Sequence, residues 1–94
     1  TPDRAVAVGL VNAAVPADQL DAEVDNYIDK IVRGGPAALA ACKDLITKVP
    51  NMTTAEAFEF TGPFSAELFM GDEAQAGIAA FNARRPAPWI PERG

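Results

Sequence analysis

Histidine is absent from the 94 residues. No Ser-His or Cys-His pair can therefore form within the chain, which removes catalysis by a histidine-activated nucleophile. Cysteine occurs once, at Cys42, so no internal disulfide framework holds the fold. No hydrophobic run reaches the ~18 residues that a membrane span needs, and no signal-peptide pattern is present. Glycine-rich phosphate loops, zinc-ligand spacings and internal repeats are missing too. Positive charge is scarce: 8 Lys plus Arg stand against 13 Asp plus Glu, a net charge of −5. Nucleic acid and anionic membrane both select for a basic face, so neither is expected as a partner. The pair Arg84-Arg85 is the one local exception. No metal and no cofactor is expected, and the expected compartment is the cytoplasm.

What the chain does have is alanine. Hydrophobic residues make up 49% of it, with alanine the main contributor. Ninety-four residues make one small domain, and a domain of this size buries only somewhat more than ~60% of its unfolded surface. Small side chains let helices approach closely, but each buries little area. Such a domain is expected to be marginal alone and better held by a partner surface.

Periodicity places four helices. Ala5 to Val8 reads as the end of a preceding helix stopped by Gly9, and Leu10 to Val15 as a short extended segment ended by Pro16. From Ala17 to Arg33, Leu20, Val24, Tyr27, Ile28 and Ile31 share one helical face. Asp18 is the expected N-cap, and Gly34-Gly35 the stop. The row Asp21, Asp25 and Asp29 fits a solvated face with an Asp29–Arg33 pair better than a metal site, since carboxylates one turn apart are ordinary. Pro36 to Val49 is the second helix, with proline in the first turn where its missing N–H costs nothing. Its stripe is Leu39, Cys42, Leu45, Ile46 and Val49, which predicts a buried, structural Cys42.

Thr54 to Met70 is the third helix, opened by a Thr53–Glu56 capping box. Pro63 removes one helical hydrogen bond, so either a kinked helix or two short ones results. The in-phase face Ala57, Phe60, Phe64 and Leu68 favours one kinked helix. The last helix runs from Asp72 to Arg84, with Asp72 as cap and Gln75 reaching back. Ile78 and Phe81 are its large apolar positions, and Arg84-Arg85 lies where the dipole favours positive charge. Pro86, Pro88 and Pro91 then hold an extended tail, whose Trp89 and Ile90 are expected to fold back onto the helices or onto another subunit.

Three blocks in this order, GLVNAAVP at 9–16, GGPAALAACKDLI at 34–46 and D-x-x-x-x-GIAAF-x-x-R-R-P-x-x-W at 72–89, resemble the C-terminal region of the enoyl-CoA hydratase/isomerase (crotonase) family. The resemblance covers essentially the whole chain. No single block is diagnostic, but the set is specific. In that family a larger N-terminal ββα spiral binds the acyl-CoA thioester. Two backbone N–H groups there stabilise the enolate, and acidic residues of the core move the protons. None of those motifs is present here, so the resemblance assigns this chain no catalytic residue.

The implied fold is all-α, a small bundle of about four helices corresponding to the C-terminal helical part of a crotonase-like fold. Residues 1–16 would be the end of a core domain and a connection, 17–85 a helical oligomerisation and lid domain, and 86–94 the proline-containing tail. A start without methionine, inside an apolar run, fits a piece of a longer protein. The family's C-terminal helices pack on the core, build much of a trimer or hexamer contact, and help cover the acyl-CoA site. In many members an aromatic and a basic residue of the final motif approach CoA, which by position are Phe81 and Arg84. A structural role, with Phe81 in the core and Arg84 as a helix end, competes evenly. Two departures stand out: Ala76 replaces a frequent Glu, and Gly62-Pro63 interrupts a stretch that is commonly a continuous helix. The expected function is thus the oligomerisation and covering segment of an acyl-CoA enzyme, hydratase or isomerase, inactive alone. The alternative is a free-standing helical interaction module.

Overall fold

A computed structural model describes residues 1–92. Positions 93 and 94, the end of the expected tail, lie outside the described residues. Among the described residues there is no strand, and the fold is all-α as the sequence predicts. The five helices are α1 (Pro2–Ala7), α2 (Leu20–Ile31), α3 (Pro36–Lys48), α4 (Thr54–Met70) and α5 (Asp72–Asn82). They divide into two compact units, Thr1–Lys30 and Ile31–Gly94.

In the first unit, Thr1 caps α1 by accepting from the Arg4 N–H at 3.2 Å. Gly9 stops it as expected. Its φ of +75° lets the Gly9 N–H reach the Val6 carbonyl at 3.0 Å and the Leu10 N–H the Ala5 carbonyl at 2.9 Å. This pair of bonds is the Schellman arrangement, for which glycine is the favoured residue. Leu10 to Val15 forms no strand but runs through bends into irregular chain. A 3-10 turn (Ala17–Gln19) precedes α2. Asp18 therefore lies inside that turn and is not an N-cap; no side chain caps the turn. The apolar stripe of α2 is on one face but is not buried: Leu20, Val24, Ile28 and Ile31 are all exposed.

In the second unit, α3 begins with Pro36 at its first position and runs on into a 3-10 turn (Val49–Asn51) containing Pro50. Its stripe is only partly covered. Ala41 is buried, Leu45 and Val49 are half-buried, and Ile46 is 73% exposed. Cys42 is exposed, which corrects the expectation of a buried thiol. Helical spacing puts it near the stripe, but no second layer lies over that side.

Helix α4 opens on the expected capping box. The Thr53 hydroxyl accepts from the Glu56 N–H at 3.2 Å, and the Glu56 carboxylate accepts from the Thr53 N–H at 2.8 Å. It then passes through Gly62-Pro63 as one helix, the outcome that its in-phase apolar face favours over two short ones. Ala57, Phe60, Phe64 and Leu68 are half-buried on both sides of Pro63, as is Thr61 beside them. Phe60 and Phe64 stack at 5.4 Å between centroids, and the Lys48 ammonium lies 5.6 Å from the Phe60 ring. Phe60 and Phe64 stand on either side of Pro63, and a stacked aromatic pair and a cation over a ring each contribute about 0.5–1 kcal/mol. The opposite side leaves Phe58, Phe69 and Met70 exposed.

Gly71 separates α4 from α5 and is the N-cap of α5. Asp72 is thus the first helical residue and not the cap. Gln75 does not reach back to the cap N–H; its amide nitrogen donates to the Phe69 carbonyl at 2.8 Å, serving the orphan end of α4.

Candidate functional site

The end of α5 is built from backbone geometry. Arg84 has φ +54°, and no other described non-glycine residue has a positive φ. Its N–H reaches the Phe81 carbonyl at 3.0 Å, and the Arg85 N–H reaches the Ala80 carbonyl at 3.0 Å. This is the same Schellman pair seen after α1, with arginine where α1 has glycine. The left-handed region costs an L-residue roughly 1–2 kcal/mol, and residues held in sparsely populated backbone regions cluster at functional sites. Arg84 and Arg85 are both exposed and stand at the negative end of the α5 dipole, which favours cations.

Phe81 lies one turn before Arg84 and is 82% exposed, next to Ala80, which is 1% exposed. Phe81 is therefore not a core residue of this chain. An exposed aromatic face and a guanidinium one turn apart suit a ligand with both a flat ring and an anionic group, by stacking and by bidentate hydrogen bonding.

Two residues that periodicity did not single out hold this end of the second unit together. Glu73, in the first turn of α5, caps α3. Its carboxylate accepts from the Ala37 N–H at 2.8 Å and from the Ala38 N–H at 3.0 Å. The N-cap of α3 is Gly35, which has no side chain to do this. A Cβ at position 35 would collide with the Glu73 carboxylate, so glycine is what lets the carboxylate approach. The dipoles of α3 and α5 both favour a negative group there. Trp89 is the second residue. Its indole N–H donates to the Arg33 carbonyl at 3.0 Å, and a Cβ on Gly77 would come within 2.8 Å of its ring. The signal for Glu73 was a proline-opened helix with no capping side chain of its own. Trp89 was expected to fold back, but its partner was not foreseeable.

An open groove of about 640 Å³ lies in the second unit, lined by Ala38, Phe64, Leu68, Phe69, Glu73 and Trp89 among others. The first unit has one of about 630 Å³, lined by residues such as Val11, Leu20, Val24 and Ile28. Neither Phe81 nor Arg84 borders either groove. Both grooves are walled mainly by apolar side chains. Without histidine, no charged residue here stands in a nucleophile–base arrangement of the triad kind. Among the described residues no group of His, Cys, Asp or Glu is placed to hold a metal ion, and no helix is long and apolar enough to cross a membrane.

No curated protein and no solved structure matches this chain significantly. The family model described as enoyl-CoA hydratase/isomerase matches residues 1–92. With that match spanning nearly the whole chain, and with the three sequence blocks falling on the α1 stop, the α3 start and the α5 end, the chain belongs to the enoyl-CoA hydratase/isomerase family.

Proposed function

We propose that this chain is the C-terminal helical segment of an acyl-CoA enzyme of the hydratase or isomerase type. It packs on a catalytic core that lies outside these residues, contributes to a homo-oligomer of the trimer or hexamer kind, and covers the acyl-CoA site. The cytoplasm is the compartment this reading assigns. Residues 1–16 serve as the end of the core domain and the connecting segment, 17–85 as the oligomerisation and covering helices, and 86–94 as the proline-containing tail. No residue of the chain is catalytic.

The observation that carries the reading is the end of α5. A strained Arg84 and a largely exposed Phe81 stand together outside any core. In this proposal Phe81 contacts the CoA moiety and Arg84 engages a CoA phosphate, which a guanidinium can do with two parallel hydrogen bonds. The exposed apolar residues Leu20, Val24 and Ile28 on α2, and Phe58, Phe69 and Met70 on α4, support a chain that is covered by other protein.

A phosphate contact is made equally in ground and transition states, so it acts on binding and not on the chemical step. In the intact enzyme, Arg84→Ala is expected to raise KM for acyl-CoA by about tenfold or more, the loss of a charge-assisted guanidinium–phosphate contact, with kcat little changed. A fall in kcat at unchanged KM would overturn the assignment.

A further inference from the structure

We infer that Glu73 and Trp89 are positioning residues for the turn that carries Phe81 and Arg84, clamping α5 at its two ends to the junction between α2 and α3. The two contacts converge on a short stretch of chain. Glu73 takes the N–H groups of Ala37 and Ala38, and Trp89 donates to the carbonyl of Arg33. One contact lies in the first turn of α5, the other beyond its last turn, where the tail has doubled back through the Ala87–Ile90 turn. Between them α5 offers small residues, Ala74, Gly77 and Ala80, and Gly77 sits against the Trp89 ring.

Small residues permit close approach but supply little apolar area. No large side chain is fully buried among the described residues. The placement of α5 therefore depends on its polar end contacts more than on a packed core. A carboxylate that accepts two N–H groups is the stronger of these, being charge-assisted. Gly35 and Gly77 are the two positions at which a side chain would displace one clamp or the other. The value of the clamp for acyl-CoA rests on the function proposed above. The clamp itself is a property of the fold and is tested without CoA, so the two can fail separately.

The test is residue-resolved amide hydrogen exchange on the chain and its variants. Glu73→Gln keeps the shape of the side chain and removes its charge. It is expected to raise exchange about tenfold at Ala37 and Ala38, and to raise it also at Arg84 and Arg85, while Ala66 and Leu68 in α4 stay near their original rates. Glu73→Asp, which restores the charge, should return the Arg84 and Arg85 amides toward their original rates. Trp89→Phe keeps a ring and loses the N–H, and should raise exchange at Arg84 and Arg85 alone. A rise confined to Ala37 and Ala38 would reduce Glu73 to a local cap and overturn the proposal. An equal rise in α4 would mark general unfolding and overturn it as well.

Discussion

Gly9 and Arg84 occupy the same position after two different helices, and the comparison isolates one physical cost. Both have positive φ, +75° and +54°, and both close a Schellman pair. Glycine adopts this region freely, and arginine does not. Exchanging the residue types should move stability in opposite directions. Arg84→Gly relieves ~1–2 kcal/mol of strain and adds ~0.5–1 kcal/mol of chain entropy, so a net gain of about 0.5–1 kcal/mol is expected in urea unfolding. Gly9→Ala meets no atom within 4 Å, so its cost is conformational only. It should lose about 1 kcal/mol or more in the same measurement. A loss on Arg84→Gly would mean that the arginine side chain itself holds the turn. The glycine stop was legible because glycine after an apolar run names its own geometry. The arginine stop was not, because nothing local to RRP says that Arg84 takes the left-handed region.

Among the elements, α4 is the one whose sequence signals agree most closely with its structure. Thr53 and Glu56 form the expected box, and the half-buried face keeps phase through Pro63. The cap also makes a pH-dependent contribution. The Thr53 backbone N–H, and after it the Thr53 hydroxyl, lower the Glu56 carboxyl from the ordinary glutamate range, with slight desolvation opposing. A group whose folded pKa is lowered contributes fully above its unfolded value, ~4.3. That contribution is lost as pH falls through the folded value. Helicity at the start of α4 should accordingly decline on acidification below the ordinary glutamate range, followed by the Thr53 amide shift in NMR. Glu56→Gln should abolish that dependence, and Thr53→Ala should cost about 1 kcal/mol at neutral pH. An unchanged titration in Glu56→Gln would assign the effect to another carboxylate. By contrast, the cap of α3 comes from Glu73, 35 residues from Ala38, and the Trp89 contact spans 56 residues. Capping boxes, proline at a helix start and aromatic spacing act within a turn or two, so they can be read locally. A carboxylate supplied by another helix depends on the packing that sequence period does not specify.

At the scale of the whole molecule, the all-α class and the helix order follow from period and punctuation, whereas burial does not. The stripes of α2 and α3 predict faces, but a face becomes a core only where a second layer covers it. Cys42, Ile46 and Phe81 show the difference, each apolar in pattern and each exposed. Phe81 and Arg84 are nameable from the family block at the end of α5, and the fold-back of Trp89 from an apolar residue on a proline-ruled tail, whereas Glu73 and the Arg33 carbonyl that Trp89 meets emerge only from geometry. Family membership brings an acyl-CoA chemistry into view, and in the proposed reading its machinery lies outside these residues. The central claim is that the chain covers a site whose chemistry lies elsewhere. Isothermal titration of CoA into the 94-residue chain tests it most directly. The account predicts no saturable heat at micromolar concentrations, and saturable micromolar binding by the chain alone would contradict it.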